Sequence, residues 1–201
     1  MRKRKLQSVY QSGFTLIELL VVIAILGALM AMGAAGGGAI REQARSAQAR
    51  NDTVAMVTAI KAFYSDYSRY PIPTSKTDDT PFDPGPKAEG NREVMDILRG
   101  RDTAMNPRET VYYEGKAAKE SSGVPPKGGV SKDGGFFDPW GSTYGIVVDA
   151  DYDGRLEYKG TQLRDLTDEE KTISGGAGVF SLGNPKKKGT INSPVSILSW
   201  R

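Results

Sequence analysis

The stretch Gly13-Phe14-Thr15-Leu16-Ile17-Glu18-Leu19-Leu20-Val21-Val22-Ile23 opens an apolar run that continues to Ile40. Between Phe14 and Ile40, only Thr15 and Glu18 carry polar side chains. Wound as a helix, this run would be about 40 Å long, which exceeds the roughly 30 Å hydrocarbon core of a bilayer. The sequence therefore predicts a transmembrane helix over residues 14–40.

The residues before this run form a short basic leader. It carries four basic side chains and no acidic one: Arg2, Lys3, Arg4 and Lys5. The positive-inside rule then places the amino terminus in the cytoplasm and the chain beyond residue 41 on the far side of the membrane. A cleavable secretory signal is the alternative, with weak cleavage sites near Ala34. A signal core has no reason to keep Glu18, whose carboxylate is costly inside a bilayer.

The run from Gly13 to Ile23 resembles the prepilin cleavage and methylation motif of bacterial type IV pilins and type II secretion pseudopilins. The resemblance implies that a prepilin peptidase cuts after Gly13 and methylates the new amine of Phe14. Residues 1–13 would then be a leader peptide that is removed. A glycine suits the cut because, lacking Cβ, it gives the peptidase access to the backbone.

Glu18 has two interpretations. On a helix it lies one turn from Phe14, where its charge complements the positive helix end within one chain. The resemblance implies instead that Glu18 of an incoming subunit pairs with the terminal amine of a neighbour, which offsets the desolvation of both charges. The partners implied in that case are further copies of the chain in a helical filament, other pseudopilins and an inner-membrane assembly platform.

The helix is expected to continue as an amphipathic segment over residues 41–70. Apolar residues recur there at spacings of three and four, namely Val57, Ile60, Tyr64 and Tyr67. We expect Phe63, Tyr64 and Tyr67 to fill the interface with a sheet. The prolines Pro71 and Pro73 end the helix, and glycines at positions 33 and 36–38 predict a weak point within it.

The remainder predicts an α+β fold, in which the long helix packs on a small antiparallel sheet. Residues 71–135 are rich in proline and glycine, which is typical of loops, with a short helix over residues 91–98 and a short strand over residues 110–113. Residues 136–201 supply the sheet, from short β-prone runs at residues 144–148, 156–158, 178–182 and 195–200.

Two segments of this sheet region bear on whether the chain is a pseudopilin or a type IV pilus subunit. Residues 138–144, Asp-Pro-Trp-Gly-Ser-Thr-Tyr, are similar to a turn and strand of the major pseudopilin of type II secretion, and residues 180–183 resemble its later strand. These matches favour a pseudopilin, which helps to push folded proteins across the outer membrane. A type IV pilus subunit, serving adhesion, twitching motility or DNA uptake, remains the alternative.

An acidic loop is the candidate metal site. Asp149, Asp151 and Asp153 alternate before Gly154, a pattern with which loops collect oxygen ligands around calcium. The twelfth position of an EF-hand loop would be Gly160 rather than glutamate, so Glu157 is the candidate fourth ligand. A solvated acidic turn without metal is the alternative, although major pseudopilins are known to bind calcium.

Composition limits the remaining functions. The chain has no cysteine and no histidine, so it has neither disulfides nor the commonest zinc ligand and general base. Loss of the leader would leave 23 basic and 24 acidic side chains, which does not favour nucleic-acid binding. An enzyme held by a signal anchor is the remote alternative, because no base or nucleophile accompanies the acidic residues. We therefore expect a structural subunit, anchored in the inner membrane by one span, with its carboxy-terminal domain in the periplasm.

Overall fold

The computed structural model describes residues 14–73, 78–79, 81–160, 162–163, 167–173, 175–185 and 196–200. The side chains of residues 31–37, 88, 168 and 170 are not among those described. Gly13, where cleavage is predicted, lies outside the described residues. The chain divides into two compact units, Met1–Glu42 and Gln43–Arg201.

One long helix, α1 (Leu16–Tyr67), dominates the element order. Its backbone stays helical through the glycines at positions 33 and 36–38, where the sequence predicts a weak point. Within the first unit, the described apolar side chains of α1 are exposed, and Leu16 is 89% exposed. In the described part of the chain, no helix has the length and hydropathy needed to cross a membrane. The span over residues 14–40 stays a prediction.

In the second unit, α1 buries one face. Ala49, Met56, Ile60 and Phe63 are fully buried, at the spacings that place residues on one side of a helix. Tyr64 departs from the expected interface, because it is exposed and its ring lies against Tyr70. The helix ends at Tyr67, before the prolines, and Ser68 takes the left-handed conformation (φ 52°) that commonly closes helices.

The main sheet has three antiparallel strands in the order β5-β8-β9. These are β5 (Gly145–Val148), β8 (Ala177–Ser181) and β9 (Ile197–Leu198). Ile146 pairs with Val179, and Phe180 pairs with Leu198. The central strand β8 is buried along its whole length, so this sheet supplies the surface against which the core forms.

Shorter elements complete the second unit. A 3-10 turn (Ala88–Gly90) leads into α2 (Arg92–Leu98), and a four-residue helix, α3 (Asp168–Lys171), precedes β7. The described residues also form three two-stranded sheets: β1 (Lys119–Ser121) with β2 (Val124–Lys127), β3 (Gly129–Val130) with β4 (Phe136–Phe137), and β6 (Leu156–Glu157) with β7 (Thr172–Ile173). All three pairs are antiparallel.

The predicted α+β fold is confirmed: a long amino-terminal helix and small antiparallel sheets. The short helix is confirmed as α2, but Asn91 does not cap it with its side chain. The strand predicted over residues 110–113 is wrong. The backbone N–H groups of Tyr112 and Tyr113 both donate to the Leu98 carbonyl at the end of α2 instead of to a strand.

Buried polar side chains fix the elements against one another. The Asn91 amide donates to the carbonyls of Phe136 and Tyr144 and accepts from the Phe136 N–H, all at 2.9–3.0 Å. The Tyr144 hydroxyl donates to Asp52 on α1 over 2.9 Å. Since buried polar groups are costly when unpaired, these bonds select one register between α1, α2 and the sheet.

Candidate assembly and metal-binding sites

The amino-terminal end of α1 holds the predicted assembly residue, Glu18. Its Oε2 accepts hydrogen bonds from the Thr15 N–H at 2.9 Å and the Thr15 hydroxyl at 2.8 Å. In return, the Glu18 N–H donates to the Thr15 hydroxyl over 3.3 Å. This reciprocal pair is a capping box, with threonine at the N-cap and glutamate three residues later. The carboxylate thus helps to start the helix within a single chain.

The surroundings of Glu18 are apolar and exposed. Phe14, Ile17, Leu19 and Leu20 all present more than half of their side-chain surface. Contiguous exposed apolar surface is typical of membrane or protein contacts. The Glu18 carboxylate therefore lies among exposed apolar side chains, which an apolar partner would cover.

The predicted metal loop follows β5 and closes on itself. Asp149 Oδ2 accepts from the Gly154 N–H at 3.1 Å, and Asp151 Oδ1 accepts from the Asp153 N–H at 3.2 Å. Gly154 takes a positive φ of 76°, which glycine adopts without strain. The alternating carboxylates are held on one side of a turn as a result.

A fourth carboxylate comes from far away in the sequence. Asp79 Oδ1 accepts from the Ala150 N–H over 2.7 Å, which brings it beside the loop. Asp79, Asp149, Asp151 and Asp153 each offer an oxygen, and these oxygens lie within 4.8 Å of one another. Glu157 does not belong to this group among the described residues; it is exposed on β6.

The electrostatics of the cluster favour a bound cation. Asp149 is 6% exposed, and burial, together with Asp79 and Asp151, raises the pKa of its carboxyl. Its Oδ1 is buried with no hydrogen-bond partner in the described part of the chain. An unpaired buried carboxylate oxygen is costly, and a divalent ion would both neutralise the repulsion and give this oxygen a partner.

Tyr152, at the tip of the acidic loop, ties the loop to the end of α1. Its hydroxyl accepts from the Tyr70 N–H at 3.1 Å, and the two rings stack with centroids 5.6 Å apart. Burial, with the nearby Asp149 charge, raises the pKa of Tyr70 to about 12. The loop is positioned both by the sheet and by the segment that follows the helix.

Four carboxylates with a turn suit a hard, oxygen-seeking cation. The cluster can therefore bind a divalent metal such as calcium. Three of the four candidate ligands predicted from the sequence lie in this cluster, and the fourth position is occupied by Asp79. No local pattern could have indicated Asp79, whereas the spacing of Thr15 and Glu18 is a capping-box signal present in the sequence itself.

Comparison with known proteins places the chain in a family. Residues 9–34 match the family described as "Prokaryotic N-terminal methylation motif". The chain is 39% identical over 147 residues to the type II secretion system core protein G of Aeromonas hydrophila, covering 73% of this chain and 76% of the relative. It is 48% identical over 60 residues to the type IV major pilin protein PilA of Myxococcus xanthus (strain DK1622), covering 29% of this chain and 26% of that protein. No solved structure matches the chain.

A long helix with a methylation motif and small antiparallel sheets defines a pilin-like subunit. The chain belongs to the type IV pilin-like family that includes core protein G of type II secretion systems. This family is structural and non-enzymatic, so the prediction that the chain is not an enzyme is confirmed.

Proposed function

We propose that the chain is a pseudopilin of a type II secretion system, which assembles into a periplasmic filament that helps to push folded proteins across the outer membrane. The observation that carries this proposal is the similarity to a core protein G over most of both chains. The match to a pilus subunit supports the alternative, a type IV pilus subunit, but it covers less than a third of either chain.

Processing and anchoring form the first part of the proposal. A prepilin peptidase cuts after Gly13 and methylates Phe14, and residues 14–40 then hold the subunit in the inner membrane with the chain beyond residue 41 in the periplasm. The methylation motif over residues 9–34 supports this. So do the basic leader and the exposed apolar surface of α1.

Assembly forms the second part. Glu18 would exchange its Thr15 bonds for the amine of Phe14 in a neighbouring subunit as the helices pack together. The exchange is favoured because a charged donor makes a stronger bond than the neutral Thr15 groups, particularly in apolar surroundings. Capping within one chain would then hold Glu18 in place before docking.

The amino terminus of the protein extracted from membranes tests the processing step. Cells that also express a prepilin peptidase should yield a chain that starts at methylated Phe14, by amino-terminal sequencing and intact mass. A chain starting near Ala34 would contradict the proposal, because that product would have lost its anchor. A Gly13→Leu variant should keep its leader.

Loss of the gene in its natural host separates the two systems. We expect a deletion to stop the export of folded periplasmic proteins while surface pili persist, and the wild-type chain to restore export. Loss of pili with normal export would instead establish the type IV pilus alternative.

We further propose that calcium binds the acidic cluster through Asp79, Asp149, Asp151 and Asp153. The ion would neutralise the carboxylate charges and cross-link the loop to Asp79. It would have no catalytic role, since the family is structural. Supporting this are the 4.8 Å grouping of oxygens and the unpartnered Asp149 Oδ1.

Thermal unfolding of the full-length protein in detergent tests the calcium site. We expect millimolar calcium to raise the melting temperature above that in EDTA. Asp79→Asn and Asp149→Asn should remove most of this increase, whereas the exposed Asp133→Asn should retain it. An equal response from all three variants, or none in the wild type, would rule the site out.

A further inference from the structure

A pocket with both charged and apolar lining residues lies on the second unit. It has a volume of about 450 Å³ and is lined by the end of α2, the segment that leads into β1 and the residues after β3. None of its lining residues belongs to the acidic cluster or to the amino-terminal end of α1. The volume lies within the range of about 300–1,000 Å³ that is usual for small-ligand sites.

Two of the residues that line this pocket each carry a buried hydrogen-bond donor without a partner in the described part of the chain. Arg99 Nη1 and Ser131 Oγ are both buried, and within the described residues neither makes a hydrogen bond. Ser131 as a whole is only 4% exposed. Unpaired buried donors are uncommon in folded proteins because each costs its desolvation, so their presence in one pocket indicates a missing acceptor.

Both donors are held by rigid backbone. The Arg99 N–H donates to the Met95 carbonyl at the end of α2 over 2.9 Å. The Ser131 N–H donates to the Gly135 carbonyl, and its carbonyl accepts from Gly134, at 2.8 and 3.0 Å. The backbone at Arg99 and Ser131 is therefore fixed before any ligand arrives, which lowers the backbone part of the entropic cost of binding.

The charge of the pocket is positive but mixed. Its lining carries four cations and two carboxylates: Arg99, Arg101, Lys116, Lys132, Glu114 and Glu120. Lys132 pairs with Glu120, and Arg101 pairs with Asp96, each at 3.9 Å. Burial and the neighbouring Arg101 lower the pKa of the Arg99 guanidinium, while Asp96 and Glu114 act in the opposite direction, so a bound anion would further stabilise the Arg99 charge.

We propose that this pocket binds a carboxylate group, with the Arg99 guanidinium and the Ser131 hydroxyl as donors. The planar guanidinium matches the two oxygens of a carboxylate. A phosphate would carry about −1.5 to −2 charge beside Glu114 and Glu120, whereas a carboxylate carries only one. The pocket is larger than a carboxylate alone, so the group belongs to a small organic acid or to an acidic side chain of a peptide.

Calorimetric titration of the full-length protein in detergent tests this proposal. The probes are succinate, a four-residue glutamate peptide with blocked ends, and inorganic phosphate, all at one ionic strength set with sodium chloride. We expect saturable binding of one carboxylate probe per chain, and weaker binding of phosphate. Succinate binding identifies a free acid as the source, and binding of the peptide alone identifies a protein segment. No saturable carboxylate binding, or a preference for phosphate, would overturn the proposal.

Matched variants locate the binding. Arg99→Gln should weaken the affinity at least about tenfold, and Ser131→Ala a few-fold, since one is a charged and the other a neutral donor. Arg50→Gln, which removes the same charge from an exposed position on α1, should bind as the wild type does. Equal weakening by Arg50→Gln, or unchanged binding in both pocket variants, would show that the carboxylate binds elsewhere.

Discussion

The two halves of α1 differ in what covers their apolar side chains. In residues 16–42 the described apolar residues are exposed, as in Leu20 at 61%, whereas in residues 43–67 Met56, Ile60 and Phe63 are at 0%. Both halves are helical, so helix formation does not decide burial. The second half is stabilised by its own chain, and the first presents apolar surface to something outside it, as expected for lipid or a further subunit.

The largest effect that would test this contrast is on assembly. Glu18→Ala should abolish filaments while insertion and cleavage continue, because a terminal amine of a neighbour would be buried without a partner. Thr15→Ala removes only the capping hydroxyl and should leave filaments largely intact. Filament yield by electron microscopy and shearing measures both variants.

Equal loss of filaments in both variants would mean that capping within one chain is the main role of Glu18. Normal yield from Glu18→Ala would reject its part in assembly altogether.

Stability should respond to the second half of α1 and not to the first. Phe63→Ala removes a fully buried ring and should lower the free energy of unfolding by about 3–5 kcal/mol. Leu20→Ala, at an exposed position, should change it by no more than about 0.5 kcal/mol. Denaturant unfolding in detergent measures both, and a large loss from Leu20→Ala would show that the two halves are not independent.

A smaller effect is expected from the polar contacts that hold the second unit together. Asn91→Ala removes the amide partner of the Phe136 N–H and of the Tyr144 carbonyl, while the Phe136 carbonyl keeps the Tyr144 N–H, and this should cost about 2–3 kcal/mol. Asn51→Ala, at an exposed position on α1, should not lower stability. If Asn91→Ala and Asn51→Ala have the same free energy of unfolding, water has taken over the hydrogen bonds of the Asn91 amide.

The smallest effect concerns alkaline pH. Burial raises the pKa of Tyr158 to about 12, while in the unfolded chain the phenol ionises near 10. Above that pH the unfolded chain releases a proton that the folded chain keeps, so stability falls as pH rises from about 10 to 12. Tyr158→Phe should flatten this fall, measured as the change in unfolding free energy between pH 8 and 11 in EDTA. An unchanged slope would mean that Tyr158 does not titrate in this range.

Much of the fold could be predicted because its signals are local. The apolar run from Phe14, the end of α1 before Pro71 and the β-prone segments around Ile146 and Val179 are periodic or bounded by clear breakers. The hairpins between residues 119 and 137 were missed because their strands are short. Strand β2 contains Pro125 and Pro126, which a strand accepts only at an edge, and β2 pairs on one side only.

The acidic cluster was predictable only in part, because only the part of it that is local in sequence gives a signal. Three of its carboxylates alternate within one turn, which the sequence displays. Asp79 joins them through a single bond to Ala150, and this contact depends on the folded position of the loop after α1. Glu157 was the expected fourth ligand because the EF-hand spacing fails at Gly160, but the chain places it on strand β6, outside the group of oxygens.

The bond between Asp79 and Ala150 spans about 70 residues of sequence. A cation held by Asp79 and Asp149 together would close a loop of that size, in a chain that has no cysteine. By the chain-entropy estimate for a cross-link of this length, closure would disfavour the unfolded state by about 4 kcal/mol. Unlike a disulfide, such a cross-link would need no oxidant to form and would open when the ion is removed, so the stability of the second unit would follow the calcium concentration around it.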